Sequence, residues 1–134
     1  MLPLIFSGRV QHGEGIATSL GFPTANILIE GGVVIPALGV YVGKTELDGR
    51  SYPSLVYVND GRYGAVLKLE VHLFGVNMDL IGKVLSVCLL EKLREMELWK
   101  DDDFIKDLMV TDRKRAQEWF ANYPDVDLTL DNCG

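Results

Sequence analysis

The clearest pattern along the chain is a strict alternation of apolar and polar side chains at residues 67–73. Such alternation predicts a β-strand, because successive side chains of a strand point to opposite faces of the sheet. One face carries Leu67, Leu69, Val71 and Leu73, and the other carries Lys68, Glu70 and His72. Runs rich in apolar and β-branched residues predict further strands at residues 4–10, 39–46, 50–58 and 84–90. We therefore expect five or six short strands.

Turn-forming residues separate several of these runs. Asp48-Gly49 lies between two predicted strands and supplies the positive φ angles of a tight hairpin. Residues 59–61 (Asn-Asp-Gly) mark a second turn. Residues 11–21 are polar and contain Gly13, Gly15 and Gly21, so they are predicted to form a loop. A loop this long in a small domain is usually functional.

The apolar period becomes helical after Asp101. The apolar side chains that share one side at helical spacing are Ile105, Leu108, Met109, Ala116, Trp119 and Phe120. Three aspartates at residues 101–103 suit the start of a helix, where capping oxygens and negative charge are stabilising. Hairpin-connected strands followed by one helix predict a mainly β fold, an antiparallel sheet closed into a small barrel with the helix outside.

Composition bounds the class of protein. With 134 residues, 48% apolar and 24% charged, the chain is expected to form a single globular domain over residues 1–134. Thirteen Lys and Arg against nineteen Asp and Glu give a net charge of −6, the wrong sign for nucleic acid or an anionic membrane. The N-terminal residues lack a basic region, and no apolar run reaches the length of a membrane span.

Two cysteines, Cys88 and Cys133, lie far apart in the sequence. They form neither a disulfide framework nor a CxxC metal or redox motif, so we expect a reduced, cytoplasmic setting. The two histidines, His12 and His72, exclude a His-rich metal site.

Thr24 and Asn26 are candidate ligands of a divalent cation. A hydroxyl and an amide oxygen at i and i+2 are hard, neutral donors that Mg²⁺ accepts when phosphate oxygens and water complete its octahedron. Pro23 restricts the backbone before them. Thr and Asn near a proline also serve as turn and capping residues, and the residue types alone leave both interpretations open.

Glu70 is a candidate general base. A carboxylate is disfavoured in a strand, and in a cleft it could accept a proton from a hydroxyl nucleophile, with Lys68 or His72 tuning it. The alternative is that these three residues form the solvated face of a half-buried strand.

A set of motifs in a fixed order along the chain bears on how Thr24, Asn26 and Glu70 are interpreted. The motifs are Gly8-Arg-Val10, Gly13-x-Gly15, Leu20-Gly-Phe-Pro-Thr-Ala-Asn26, Pro36-Ala-Leu-Gly-Val-Tyr41, Leu69-Glu-Val-His-Leu73, Gly82 and Leu93-Arg94. In this order, over about residues 8–120, the chain resembles the riboflavin kinase family. The segment at residues 20–26 is the most specific, and the shorter motifs gain weight from their relative positions.

The resemblance implies an ATP-dependent kinase that phosphorylates the ribityl 5′-hydroxyl of riboflavin to give FMN, on a closed six-stranded antiparallel Greek-key barrel with a C-terminal helix. It implies that Glu70 is the base, that Thr24 and Asn26 hold Mg²⁺ and the nucleotide phosphates, that residues 13–19 fold over the phosphates, and that residues 94–99 cover the flavin. The implied cofactor- and substrate-binding residues are Gly13, Gly15, Thr18, Thr24, Asn26, Leu73, Arg94, Glu95 and Leu98.

The chain departs from the family pattern in its glycine-rich loop. Many members have arginine there, whereas this chain has Ile-Ala-Thr at residues 16–18. Lys44, Arg62 and Lys68 are possible substitutes for the missing positive charge. The departure supports an alternative, a non-catalytic flavin- or nucleotide-binding module of the same fold. We expect a monomer that binds riboflavin and ATP. The length leaves no room for the adenylyltransferase domain of bacterial bifunctional relatives, so we expect a monofunctional kinase or an excised domain.

Overall fold

The computed structural model of the chain describes residues 2–12, 24–28, 36–60, 68–97 and 100–133. In chain order the elements are β1 (Leu4–Arg9), β2 (Ala25–Leu28), β3 (Gly39–Leu47), β4 (Arg50–Asn59), β5 (Lys68–Leu73), β6 (Val84–Arg94), α1 (Asp102–Asn122) and a 3₁₀ turn (Leu130–Asn132). The mainly β class expected from the sequence is confirmed.

The six strands form one antiparallel sheet with the spatial order β1-β6-β3-β4-β5-β2. The two outer strands approach each other just beyond the end of β1, where the Gln11 backbone N–H donates to the carbonyl oxygen of Asn26 at 2.8 Å. This contact joins the ends of the sheet into a nearly closed barrel, an arrangement that protects strand edges.

Alternate residues of the strands fill the barrel interior. Leu69, Val71 and Leu73 of β5 are buried in the same core cluster as residues from the other five strands, which confirms the inward face expected from the alternation. The β3–β4 hairpin also forms as predicted, with Asp48 and Gly49 at φ values of 50° and 81°. Such positive φ values at both turn positions are typical of the two-residue type I′ turn.

Helix α1 packs against the outer face of the sheet, over β3, β4 and β6. Its N-cap is Asp101, whose Oδ1 accepts a hydrogen bond from the backbone N–H of Phe104 at 2.8 Å. Ala116 is fully buried among outward-facing side chains of β3 and β4, and the partly buried Met109, Trp119 and Phe120 pack on the same cluster. The predicted amphipathic helix is therefore confirmed.

Two elements differ from the sequence-based expectation. β2 is a short strand where we had considered turn or capping residues, because residues 25–28 pair with β5. β6 continues four residues beyond the predicted end and includes Arg94. Register shifts in its pairing with β3 let the longer strand follow the curvature of the barrel.

The C-terminal segment returns to the outer face of β3 and β6. Cys133 forms a disulfide with Cys88, which corrects the expectation of two separate cysteines without a disulfide. The prediction failed because the spacing of two cysteines along the chain says nothing about the return of the C-terminus to β6. Lys44, the cross-strand neighbour of Cys88, donates from Nζ to the backbone oxygen of Asp127 at 2.8 Å.

Candidate active site

The candidate site lies along one row of residues that crosses five strands. Asn26 of β2 is opposite Glu70 of β5, Glu70 is opposite Tyr57 of β4, Tyr57 is opposite Val40 of β3, and Val40 is opposite Arg94 of β6. Directly opposed residues of an antiparallel pair project their side chains to the same face at ~5 Å between Cβ atoms. The row therefore places the amide of Asn26 next to the carboxylate of Glu70.

The side-chain oxygen of Asn26 is notable in this position. Its Oδ1 atom is buried and has no hydrogen-bond partner among the residues that the structure describes. A buried acceptor without a partner costs ~1–3 kcal/mol, so such atoms are uncommon unless a ligand completes them. Thr24, half-buried, directly precedes β2. An amide oxygen of this kind fits a hard cation such as Mg²⁺.

Within the described ranges, no group of three or more His, Cys, Asp or Glu side chains could hold a metal ion. A cation at Asn26 would therefore need most of its ligands from elsewhere. This is the usual situation of Mg²⁺ in nucleotide sites, where substrate phosphates and water supply most of the octahedron.

Glu70 is half-buried and held by a neighbour on β4. Asn59 Nδ2 donates to Glu70 Oε2 at 2.7 Å. An amide donor orients a carboxylate without neutralising it, so Glu70 keeps the acceptor capacity that a base requires. The outward face of β5 is thus partly covered, and the fully solvated alternative does not hold.

A cavity of about 470 Å³ borders this face two residues along β5 from Glu70. It is lined by His72, Leu73, Phe74, Gly75, Val76, Asn77, Arg113 and Gln117. His72 is buried, and its Nε2 lies 2.9 Å from Nη2 of Arg113 on α1. The volume is in the range of small-molecule pockets, so the cavity could take part of a small ligand, although Glu70 is not among its lining residues.

Asp112 of α1 is a residue of this region that the sequence analysis missed. It is 1% exposed, and its carboxylate accepts two hydrogen bonds of 2.7 Å from Arg94, one from Nε and one from Nη2. It also accepts a hydrogen bond of 3.3 Å from the Tyr57 hydroxyl. A charged residue at helical spacing between Met109 and Ala116, on the apolar side of the helix, was the available signal.

The same contacts shift two pKa values in the row. Burial raises the pKa of Tyr57, and the neighbouring charges of Asp112 and, to a smaller extent, Glu70 raise it further. Burial opposes the charged form of Arg94, but hydrogen bonds and charge from Asp112 outweigh this effect and raise its pKa. Tyr57 is therefore a hydrogen-bond donor and Arg94 a cation at every physiological pH.

The remaining predicted residues are only partly brought together. Leu73 is buried in the barrel core, so a ligand would meet it through the part that lines the cavity. Arg94 is the last residue of β6, a correction to its predicted place between strand and helix, and Glu95 follows it. Gly13, Gly15, Thr18 and Leu98, which were also predicted to bind substrate or cofactor, lie outside the described residues.

The three suggested substitutes for the loop arginines have different positions. Lys44 is 3% exposed under the C-terminal segment, where it donates to Asp127, so it is not placed to bind a phosphate. Lys68 lies two residues before Glu70 on β5 and shares its face. Arg62 is not among the described residues.

Comparisons with known proteins point to one family. The family model described as riboflavin kinase (Flavokinase) matches residues 1–120. The bifunctional riboflavin kinase/FMN adenylyltransferase of Escherichia coli K12 is 35% identical over an alignment of 122 residues that covers 89% of this chain and 39% of that protein. The chain thus spans about two fifths of the length of this relative.

Two solved structures share the fold. A crystal structure described as a macrolide-efflux protein from Streptococcus pneumoniae superposes with a TM-score of 0.77 and 28% identity, over 87% of this chain and 39% of that one. The riboflavin kinase of Trypanosoma brucei superposes with a TM-score of 0.63 and 21% identity, over 90% and 82% of the two chains. In the described part of this chain, no helix is both long enough and apolar enough to cross a membrane.

Proposed function

The chain belongs to the riboflavin kinase family, and we therefore propose that it transfers the γ-phosphoryl group of ATP to the ribityl 5′-hydroxyl of riboflavin, giving FMN and ADP. The observation that carries this proposal is the direct pairing of Asn26 with Glu70. It supplies, on one face, a neutral amide oxygen for a phosphate-bound cation and a carboxylate for the attacking hydroxyl. Phosphoryl transfer asks a protein mainly for such positioning and charge stabilisation.

Glu70 is the proposed general base. The 5′-hydroxyl oxygen attacks the γ-phosphorus, the bond from that phosphorus to the ADP oxygen breaks, and the hydroxyl proton passes to Glu70. The hydrogen bond from Asn59 engages Oε2. We assign the proton transfer to the other oxygen, Oε1, because Oε2 already accepts from Asn59. This hydrogen bond fixes the carboxylate plane and leaves its charge intact.

Thr24 and Asn26 are the proposed residues for Mg²⁺ bound with ATP. When bound, Mg²⁺ neutralises charge on the phosphates and holds them for in-line transfer. Asn26 contributes the buried Oδ1 that has no partner among the described residues, and Thr24 adds a hydroxyl from the position just before β2. Arg94 and Glu95, at the exit of β6, are proposed to contact riboflavin, and Gly13, Gly15, Thr18, Leu73 and Leu98 complete the proposed binding residues.

A binding module without turnover remains the second candidate. The observation that favours it is the Ile-Ala-Thr sequence at residues 16–18, where many relatives have arginine. Such a module would bind riboflavin or ATP and be stabilised by them, because a ligand that binds the native state raises stability by mass action. The Escherichia coli relative is also named as an FMN adenylyltransferase, and our proposal for this chain concerns the kinase reaction. We further propose a monomer located in the cytoplasm, although the cysteines no longer support that location, since Cys88 and Cys133 form a disulfide.

The test is incubation of the purified chain with riboflavin, ATP and MgCl₂, followed by chromatographic separation of flavins and nucleotides. We expect FMN and ADP in equal amounts, with no FMN when riboflavin, ATP or Mg²⁺ is omitted. Thermal stabilisation by riboflavin and ATP without FMN would support the binding module instead. If the chain formed no FMN and was not stabilised by either ligand, both candidates would be contradicted.

A further inference from the structure

Asp112 is a carboxylate buried in the apolar side of a helix. Its neighbours at helical spacing, Met109 and Ala116, pack on the outer face of the sheet, and Asp112 itself is 1% exposed. Burial of an ionised carboxylate is strongly unfavourable unless charged or hydrogen-bonded partners compensate it. The partners of Asp112 therefore explain its position.

These partners lie on two strands that are not adjacent. Arg94 at the end of β6 makes the side-on pair of 2.7 Å hydrogen bonds, and Tyr57 in β4 donates its hydroxyl at 3.3 Å. Val40 of β3 lies between Arg94 and Tyr57 in the register. Asp112 thus connects α1 to β6 and β4 across the intervening strand β3, at the two residues that flank Val40 in the row.

Each partner leads to a different part of the proposed site. Tyr57 is the direct cross-strand neighbour of Glu70. Arg94 donates from Nη1 to the backbone oxygen of Glu95 at 2.9 Å, at the start of residues 95–97. Lys92 holds the Glu95 side chain by an ion pair of 2.7 Å. Through Arg94, Asp112 is therefore linked to the segment that follows β6. Through Tyr57, it is linked to the direct neighbour of Glu70, the proposed base.

The β3 backbone limits how far Arg94 could move by itself. A Cβ atom added to Gly39 would lie 2.8 Å from the Arg94 carbonyl oxygen, and Gly39 has a φ of 156°. Only glycine allows this close approach between β3 and the end of β6. With the backbone of Arg94 set by β3 and its side chain set by Asp112, the direction in which residues 95–97 leave the barrel is defined.

We propose that Asp112 is a positioning residue for the kinase reaction: by holding Arg94 and contacting Tyr57, it fixes residues 95–97 relative to Glu70, so that riboflavin bound at residues 94–97 presents its 5′-hydroxyl to the carboxylate. Asp112 acts through its partners and does not touch substrate. This inference rests on the proposed function and adds to it a residue on α1, outside the motifs that carry the family resemblance.

The test compares steady-state kinetics of Asp112→Asn with the wild type. Asn keeps the shape but loses the charge and the paired acceptors, so Arg94 is released. We expect the KM for riboflavin to rise about tenfold and kcat to fall, because a small misplacement of bound reactants costs rate steeply. The KM for ATP should stay within about twofold, since Asp112 does not contact the Asn26 side of the row.

Glu91→Gln is the matched control. Glu91 on β6 accepts a hydrogen bond of 2.8 Å from Trp119 Nε1 on α1, so this variant also weakens a link between helix and strand. It leaves Arg94 and Tyr57 untouched, and we expect both KM values to match the wild type. Equal riboflavin KM values in folded Asp112→Asn and wild type would overturn the proposal, as would an equal rise in Glu91→Gln.

Asp112→Glu serves if the asparagine variant does not fold. The longer carboxylate keeps the ion pair but displaces the guanidinium by about one methylene, so the fold should persist with a raised riboflavin KM. If the ion pair of Asp112 with Arg94 were only structural, the riboflavin KM of Asp112→Glu would equal that of the wild type at temperatures below melting.

Amide hydrogen exchange at residues 95–97 separates this inference from the proposed function. We expect faster exchange there in Asp112→Asn than in wild type and Glu91→Gln, whether or not the chain turns over. A wild type that makes no FMN would contradict the proposed function. Exchange at residues 95–97 that is identical in all three proteins would overturn the inference.

Discussion

Asn26 of β2 and Glu70 of β5 are direct antiparallel partners on the outer face of the barrel, although β3 and β4 lie between them in the chain. The two side chains come from motifs that are far apart in the sequence. Their pairing depends on β2 being a strand, and the same residue, Asn26, also closes the barrel by accepting from Gln11. Closure of the sheet and assembly of the proposed site thus both depend on the position of Asn26 in β2.

The Asn26 Oδ1 atom, which has no partner within the described ranges, leads to a prediction that separates function from stability. We expect Asn26→Ala to raise the Mg²⁺ concentration for half-maximal activity by at least about tenfold, since even indirect partners of metal ligands have effects of that size. Without ligand, the lost side chain is offset by removal of a buried acceptor that costs ~1–3 kcal/mol, so the Tm should fall little. The measurements are Mg²⁺ titrations of FMN formation and thermal melts.

Ile27→Ala in the same strand is the control with the opposite expectation. Ile27 is fully buried in the barrel core, and truncation of such a residue costs ~2–5 kcal/mol. Its Mg²⁺ dependence should match the wild type. If Asn26→Ala melted as early as Ile27→Ala and kept a normal Mg²⁺ response, Asn26 would be a structural residue.

Lys68 and Lys44 form a second matched pair. Lys68 shares the outward face with Glu70, so Lys68→Gln should raise the KM for ATP about tenfold through loss of a cation near the phosphates. Lys44 is buried and bonded to Asp127, so Lys44→Gln should lower the Tm and leave the KM for ATP unchanged. An unchanged KM for ATP in Lys68→Gln would remove this lysine from the nucleotide site.

Tyr57 leads to a prediction for stability at high pH. Its pKa is raised in the folded chain above the ordinary value of 10.0, chiefly by burial. The folded state therefore keeps a proton that the unfolded state loses near pH 10, and stability falls as pH rises above that value. Burial also raises the pKa of Tyr41, so both tyrosines contribute to the loss of stability of the wild type at high pH.

The comparison of Tyr57→Phe with wild type isolates this contribution. Urea unfolding at several pH values above 9 should give a shallower decline for the variant, because Phe does not titrate. Parallel declines in the two proteins would mean that Tyr57 titrates alike in folded and unfolded states.

The Cys88–Cys133 disulfide should stabilise the chain without affecting the reaction. It joins residues 45 positions apart, and closing a loop of this size typically contributes ~2–4 kcal/mol by restricting the unfolded chain. Cys133→Ser should lower the free energy of unfolding by that amount and leave kcat unchanged, since Cys88 lies several residues along β6 from Arg94. Identical denaturant midpoints for oxidised and reduced wild type would contradict the stabilising role.

Local patterns predicted the parts of the fold that local chemistry determines. The alternation in β5, the Asp48-Gly49 turn and the Asp101 cap each depend on a few neighbouring residues, and all three form as expected. β2 was missed because four residues carry too little periodicity, and it exists only through its pairing with β5. Tertiary context decides such short strands.

The sequence pointed to the polar strand residues of the proposed site but not to the helix residue that contacts the same row. Asn26 and Glu70 were identified from residue type and resemblance, whereas Asp112 matters only because Arg94 and Tyr57 converge on it from β6 and β4. The longer β6 that brings Arg94 into the row was also not evident, since polar residues at its end broke the apolar pattern. Long-range pairings of this kind are not encoded in local periodicity.

The most direct test of the account is the rate of FMN formation by Glu70→Gln at saturating riboflavin and Mg·ATP. Gln keeps the size of the side chain and its place beside Asn59 but cannot accept the 5′-hydroxyl proton, so we predict a fall in kcat of about a hundredfold or more with nucleotide affinity unchanged. Glu46→Gln, an exposed glutamate of β3, should keep the wild-type rate. A kcat for Glu70→Gln within about twofold of wild type would contradict the central claim.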